Sequence, residues 1–476
     1  MMQLNRRGFI KSSSLVAASM ALPGSMAQAG GIFSKGPRVA PRFRKPGEKL
    51  NIGVVGVGGK GWSDWMPMFK NGENIVALCD VDRAPIDKAL AELEKNGVKP
   101  SQVKCYSDFR KMFDECKNLD AVTVSTPDHM HAAAAVRAMR QGCHVYVQKP
   151  LVRTIWEANY FGRVAKEQCV VTQMGNQGSA LNGLRRSAEL LQRGILGNVT
   201  EVHVWTNRPI WPQGIGRPEG SDPVPEGLDW DSWLGIAPVR PYKKDVYHTF
   251  KWRGFFDFGT GAFGDMACHT MNLPFRGLQL GEVSGAECIE IDGKNTETYP
   301  NKSVVKMSYK ARGKLPAVTL YWYDGNLKPK AEIMPKVVAT FGEVPKTGCY
   351  IIGDKATLVS TNDYGAESYV ALNDEPRMKS LTKHEAFSDT IFPPAFRPNK
   401  YEKEGQYLEF VNACKGEDVC FSDIDHSVPM LEGMLVGCIA QQVPGKLFWD
   451  SRKQLFVGND AANALVKPYI RTGWEF

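Results

Sequence analysis

The sequence predicts an α/β domain built on a doubly wound parallel sheet, followed by an α+β domain with a mostly antiparallel sheet. Two observations carry the first half: an apolar run that breaks into spaced glycines, and an alternation of short apolar strands with helical stretches as far as Gln173. One carries the second: from Val199 to Val359 strand candidates follow one another, beginning with the alternating Val199–Asn207.

The apolar run is Leu50–Val55, suited to a strand buried on both faces. Gly56, Gly58 and Gly61 follow with the spacing G-x-G-x-x-G, enclosing Gly59 and Lys60. One glycine serves a tight turn, one the close approach of backbone to a pyrophosphate, and one the packing of helix on strand. The helix that follows points its N–H groups at the phosphates. Such a motif alone is weak, but here a strand precedes it, a helix follows, and a second strand, Ile75–Cys79, ends in Asp80. A carboxylate about 20 residues beyond the glycines accepts hydrogen bonds from the adenosine ribose. It also repels a 2′-phosphate, which favours NAD over NADP; Arg83 nearby keeps NADP open. The bland alternative is a surface turn followed by a strand-end Asp.

A helix from Ala84 to Asn96, a strand Val103–Tyr106 and a helix Phe109–Cys116 come next. The strand Leu119–Ser125 closes at Thr126-Pro127, and His131 opens the helix Ala132–Gln141. Cys143–Leu151 contains another strand and ends in the turn Gln148-Lys149-Pro150, and Cys169–Gln173 is the last strand, before Met174-Gly-Asn176. Both turns fall at the carboxyl edge of the sheet, where ligands bind in such folds.

G-V-G-G-K-G, C-D-V-D, S-T-P-D-H-M-H and V-Q-K-P-L together resemble the Gfo/Idh/MocA family of sugar oxidoreductases. The family usually has Glu-Lys-Pro where this chain has Gln148-Lys149-Pro150. Met174-Gly-Asn-Gln and W-R-G-F-F-D-F-G-T-G-A-F-G-D-M look like its exported branch. The resemblance implies a Rossmann domain over residues 48–176 and, over 177–476, a substrate and oligomerisation domain whose open sheet carries helices on one face and a subunit interface on the other. A homodimer or homotetramer is then expected. The expected cofactor-binding residues are Gly56, Gly58, Gly59, Lys60, Gly61, Asp80, Arg83, Ser125, Thr126, Pro127, His131, Gln148, Lys149 and Asn176.

In the second domain the apolar positions Leu184, Ala188 and Leu191 mark a helix from Asn182 to Gly194. Further strands are expected at Glu287–Ile291, Val304–Tyr309, Val318–Trp322, Val337–Phe341 and Tyr350–Val359. Asp257–Gly264 is glycine-rich and reads as loop, after which Asp265 opens a helix. Asp265 and His269 are four residues apart and share a helix face. A carboxylate is favoured near a helix start, and a histidine titrating near neutrality suits proton exchange with a sugar hydroxyl. Alternatively, Asp265 caps the helix and His269 packs in a core. The resemblance favours function, because the family carries an Asp-x-x-x-His pair facing the nicotinamide. Lys149, Asp265 and His269 are therefore the expected catalytic residues. Trp205, Trp211, Trp230, Trp233 and Trp252 are mostly core, with Trp252-Arg253 the best pair to touch substrate. The aromatic and basic stretch Tyr469–Phe476 has no assignment.

Net charge of +8 suggests a polyanion partner, and its distribution removes the suggestion. All eight excess cations precede Glu48; from there on 51 basic residues face 51 acidic ones, so no nucleic acid is expected. Residues 1–29 explain part of the charge. Arg6-Arg7 resembles a twin-arginine export motif, Leu15–Leu22 is too short to span a bilayer, and Ala27-Gln-Ala29 fits a signal-peptidase site. Residues 30–47 read as an extended arm. Periplasmic localisation follows, with no membrane span in the mature protein. Eleven cysteines without C-x-x-C or metal-ligand spacing imply no metal, and Cys79, Cys169 and Cys438 read as buried thiols.

Three functions remain open: an oxidoreductase acting on a sugar hydroxyl with tightly bound NAD, an NAD-dependent glycosidase working by transient oxidation and elimination, and a non-catalytic sugar-binding protein.

Overall fold

The computed structural model describes residues 39–401 and 404–476; the predicted export signal and the start of the arm lie outside them. Six parallel strands, β1 (Asn51–Val55), β2 (Asn74–Cys79), β3 (Lys104–Tyr106), β4 (Ala121–Val124), β5 (His144–Val147) and β6 (Thr172–Met174), form a sheet in the order β3-β2-β1-β4-β5-β6. The direction of winding reverses between β1 and β4, which opens a crevice beyond their carboxyl ends. Helices α1 (Lys60–Lys70), α2 (Arg83–Lys95), α3 (Phe109–Glu115), α4 (Asp128–Arg140) and α5 (Ile155–Gln168) cover the two faces. Ile52 and Val54 pack with Trp65 of α1 and Ile86 of α2, whereas Val122 and Val124 belong to the core formed by α4 and α5. This explains why β4 and β5 are buried throughout and are mostly apolar, with no alternation of polar residues toward solvent.

Helices α6 (Asn182–Gln192), α7 (Trp230–Leu234), α8 (Gly261–Thr270), α9 (Asn272–Gly277), α10 (Pro335–Phe341), α11 (Gly405–Cys414) and α12 (Ile424–Gln442) follow. The second sheet contains β7 (Val199–Trp205), β8 (Val283–Asp292), β9 (Lys302–Tyr309), β10 (Val318–Tyr323), β11 (Gly348–Gly353), β12 (Ala356–Ser360), β13 (Ser368–Leu372), β14 (Lys379–Ser380), β15 (Lys446–Asp450) and β16 (Leu455–Phe456). Its order is β14-β13-β12-β11-β7-β10-β9-β8-β15-β16, antiparallel except where β7 and β10 pair in parallel. This is the mostly antiparallel open sheet the sequence predicts.

Some elements differ from expectation. Val337–Phe341 is not a strand but most of α10, with Pro335 at its first position and Gly342 in the left-handed conformation at its end. The β-branched pair Val337-Val338 suggests a strand, but the two caps decide for helix. Tyr350–Val359 is not one strand but the hairpin β11–β12, turning at Asp354-Lys355. α10 also packs on the outer sheet face, its Val337 against Trp205, Tyr350 and Val359. α8 begins at Gly261, so Asp265 lies beyond its first turn, away from the helix start. α4 likewise begins at Asp128, just after Pro127. Cys79 and Cys438 are buried as expected, while Cys169 is exposed at the left-handed cap of α5.

The placement of α8 depends on a close approach to α12. A Cβ built on Gly437 would lie 2.3 Å from the ring of Phe263, which itself stacks on Trp322 at 4.5 Å. Gly437→Ala should therefore overpack this contact and lower stability by about 1–3 kcal/mol, measured as a lower midpoint of chemical denaturation.

Candidate active site

The turn after β1 is built by contacts only glycine allows. Gly56 has φ of +82° and passes so close to the β4 end that a Cβ would meet Ser125 O at 2.6 Å. A Cβ on Gly61 would lie 1.9 Å from Gly56 O, so the first turn of α1 sits directly on the loop. The Asp80 carboxylate clamps the loop by accepting from the N–H groups of Val57 at 2.8 Å and Gly58 at 3.3 Å.

A cleft runs from this turn along the carboxyl edge of the first sheet. Of the expected cofactor residues, Gly56, Gly58, Gly59, Lys60, Asp80, Ser125, Thr126, Pro127, Gln148 and Lys149 line it. Gly61, Arg83, His131 and Asn176 do not. Arg83 pairs with Asp87 at 2.7 Å. His131 is buried, with its ring nitrogens 2.8 Å from the carbonyl oxygens of Pro150 and Thr126, so it ties together the two turns that carry Lys149 and Pro127. Asn176 donates to Cys268 O at 2.6 Å, which fixes the start of the second domain to α8.

Gln148 occupies the place of the family glutamate. Its amide donates to Asp64 Oδ1 at 3.0 Å, and that fully buried carboxylate also receives Lys60 Nζ at 2.7 Å, Ser125 Oγ at 2.7 Å and Tyr407 OH at 3.1 Å. A second carboxylate at 148 would stand against Asp64 with no further cation between them.

Lys149 Nζ lies 2.8 Å from Asp265 Oδ1, and Arg253 Nε lies 3.3 Å from the same oxygen. Burial alone would raise the Asp265 pKa, but the ammonium and guanidinium outweigh it and hold the group below its ordinary value. Burial disfavours the charged lysine in turn, and Asp265 more than compensates, so Lys149 stays protonated. Asp128 is pushed up to about 7, first by burial and then by Asp265. It lines the cleft with Oδ2 accepting from Thr260 Oγ at 3.0 Å. His269, one turn along α8, departs from the near-neutral expectation: burial and the Lys149 ammonium lower it to about 3. Its ring meets Tyr364 edge-on at 5.2 Å, and its buried Nδ1 has no protein partner. Trp252 and Arg253 both line the cleft, as does Trp233, which stacks on Trp230 at 4.6 Å.

Sequence reasoning missed Asp64, Asp128, Tyr364 and Tyr407. Asp128 stands inside a quoted motif, directly after Pro127, and that position was the available signal. The other three are joined to the site by contacts across the chain.

The residues present fit a dinucleotide: the loop is held open by glycine, Thr126 Oγ is buried without a protein partner, and Asp80 lines the far side. Family models agree. Residues 50–176 match the Gfo/Idh/MocA oxidoreductase family's NAD-binding Rossmann fold, and residues 189–310 match its C-terminal alpha/beta domain. The chain belongs to the Gfo/Idh/MocA family. This Gfo/Idh/MocA chain is 30% identical over 192 residues to a glycosyl hydrolase family 109 protein of Shewanella pealeana, covering 37% of the chain and 41% of the relative. It is 27% identical over 190 residues to an alpha-N-acetylgalactosaminidase of Shewanella oneidensis, with the same coverages. The matches thus span about two fifths of the length of these relatives. Among solved structures, the WlbA dehydrogenase of Bordetella pertussis, in complex with NADH and UDP-GlcNAcA, aligns with a TM-score of 0.55 at 16% identity, over 83% of this chain and 97% of that one. An inositol dehydrogenase homolog of Azotobacter vinelandii, in complex with NADH and myo-inositol, aligns with a TM-score of 0.55 at 15% identity, over 88% and 99%. These likenesses show the fold.

Gly61→Ala should force α1 off the loop and weaken NAD binding about tenfold or more, read by fluorescence titration with NADH.

Proposed function

We propose that this protein is an NAD-dependent oxidoreductase acting on a hydroxyl of a sugar or glycoside, with the cofactor held tightly. The observation that carries the reading is the Lys149–Asp265 pair, 2.8 Å apart, whose Lys149 lines the dinucleotide cleft, while Asp265 and His269 stand behind that lining and the His269 Nδ1 is buried without a protein partner one helical turn away. Bound NAD supplies the hydride acceptor for the carbinol carbon. The chain's own groups handle the oxygen and the proton. Lys149, kept charged by Asp265, orients the hydroxyl oxygen and stabilises the negative charge that develops on it. His269 is neutral and offers Nδ1 to the hydroxyl hydrogen. Asp128, with a pKa of about 7, is matched to carry the proton onward at neutral pH. Trp252 and Arg253 supply an aromatic face and a donor for the sugar ring.

A second reading is favoured by the names of the relatives, glycosyl hydrolase family 109 protein and alpha-N-acetylgalactosaminidase. In such a cycle bound NAD would take up and later return one hydride; in between, the ring C–H acidified by oxidation would lose its proton, the glycosidic group would leave as the alcohol, and water would add to the unsaturated ring, so that the net reaction is hydrolysis. This closed cycle suits a protein exported by the twin-arginine route to the periplasm, where free NAD is scarce; the Arg6-Arg7 leader supports that location. The proposal includes a homodimer or homotetramer.

The test combines the purified protein with a panel of glycosides while absorbance near 340 nm and product masses are recorded. Lasting NADH supports net dehydrogenation, glycoside cleavage without added NAD supports the closed cycle, and binding with neither rejects both in favour of a sugar-binding protein. His269→Ala should lower the rate about tenfold, the worth of one buried hydrogen bond accepted from the hydroxyl, and full turnover would remove it from the chemistry. If ionised Asp128 is the onward acceptor, kcat/KM rises with pH through about 7 and then levels. Asp128→Asn should abolish that rising limb, as measured in a pH–rate profile.

A further inference from the structure

The end of the cleft remote from Lys149 is lined by Asp80, Asp82, Asp108, Phe109 and Trp474. Asp80 ends β2 beside the glycine loop, so in a dinucleotide cleft this is the adenosine end. Trp474 comes from the stretch Tyr469–Phe476, far in sequence from the first domain, yet it is only 5% exposed. Its indole meets Phe109 edge-on, ring centres 6.1 Å apart, and the Arg110 guanidinium lies 3.7 Å from its ring centre. Arg110 also donates to Gly473 O at 2.7 Å and grips Asp108 at 2.8 Å, so the residue before Trp474 is fixed to the start of α3.

A second anchor lies three residues earlier. The Arg471 side chain donates to Gly235 O and to Asp231 O, each at 2.9 Å, and its N–H donates to Ile236 O at 3.0 Å. That binds the stretch to α7 and its following turn. The segment leading into α7 is itself pinned to the adenosine end: Arg83 N–H donates to Gly227 O at 3.0 Å and Asp229 N–H to Val81 O at 2.8 Å. His248 Nε2 lies 3.2 Å from Asp82 Oδ2. Two segments of the second domain thus converge on one end of a first-domain cleft, and an indole from one of them forms part of its wall.

We propose that Trp474 is a cofactor-binding residue that packs against the adenine of NAD, and that Arg471 positions it. The proposal rests on the cofactor reading of the cleft. A flat indole suits a nucleobase, which has an apolar face and demands little directional bonding. The acid-lined end around it suits an unphosphorylated ribose. Because Trp474 is anchored through both Arg110 and Arg471, the adenine would be enclosed, and NAD would leave slowly.

The experiment uses the full chain purified without added cofactor. NAD per protomer is measured after gel filtration and denaturation, and the affinity of emptied protein for ADP-ribose, the cofactor without its nicotinamide, is measured by calorimetry. Trp474→Leu should lose NAD on the column and weaken ADP-ribose binding about 5- to 150-fold. Trp474→Phe should retain most of both, and Arg471→Ala, which keeps the indole but removes one of its anchors, should show an intermediate loss. Wild-type affinity and NAD content in folded Trp474→Leu would overturn the proposal alone. Should Trp474→Leu not fold, the Arg471→Ala and Trp474→Phe results decide: unchanged affinity in the first, or complete loss in the second, overturns it. A wild-type protein that binds neither NAD nor ADP-ribose overturns the cofactor reading itself.

Discussion

The Lys149–Asp265 ion pair is the interaction on which the proposed chemistry depends. Its ammonium comes from the turn after β5 and its carboxylate from the middle of α8, so the pair joins the two halves of the molecule inside a low-dielectric wall. Two charges so placed are tolerable together and costly apart, since removing one leaves the other buried and uncompensated. The pair also sets its neighbours. Its anion helps lift Asp128 toward neutrality, and its cation helps depress His269, so one contact separates the titration of three groups that share a small volume. Carboxylates with pKa values pushed apart, one fixed as an anion and one able to exchange, are how a site divides charge stabilisation from proton transfer.

Holding that pair at 2.8 Å requires α8 to be seated accurately. The glycine-rich stretch that runs into its first turn serves packing, which a sequence motif does not distinguish from a ligand loop. A Cβ on Gly259 would lie 2.4 Å from Arg253 O, and one on Gly264 would lie 2.2 Å from Thr260 Cβ. The chain therefore folds tightly back on Arg253 and Thr260, and this brings Arg253 to Asp265 and Thr260 to Asp128. Close backbone packing and side-chain chemistry have the same cause here.

Much of the first domain was legible in the sequence because its signals are local. The β1 strand, the glycines after it and Asp80 lie within about 30 residues, and a parallel sheet buried on both faces writes itself as apolar runs. The candidates Lys149, Asp265 and His269 could be named for the same reason: each stands in a short motif, and the fold brings the first two together. What stayed hidden was non-local or rested on weaker local cues. Val337-Val338 looks like strand until Pro335 and Gly342 are weighed as helix caps, and Tyr350–Val359 looks continuous until Gly353-Asp354 is weighed as a turn. Asp64 carries no motif, and its importance comes from Tyr407, which lies 343 positions away. The titration of His269 was misjudged because a residue type states an intrinsic pKa and not its burial beside a lysine.

Asp64 also accounts for the glutamine that departs from the family's usual glutamate. Lys60, at the start of α1, needs an anion, and Asp64 supplies it from the next turn at 2.7 Å with no exposed surface of its own. The Gln148 amide then faces a carboxylate that is already matched, and only a donor can sit there. Its other end accepts from the Lys149 N–H at 3.2 Å, which holds the backbone of the turn that carries Lys149. A glutamate at 148 would keep that second contact but replace the first with a buried repulsion, and one of the two carboxyls would have to stay protonated. The glutamine is thus the neutral member of a set whose anion is Asp64. Lys149 does not need a charge partner from position 148, because Asp265 reaches it from the other domain.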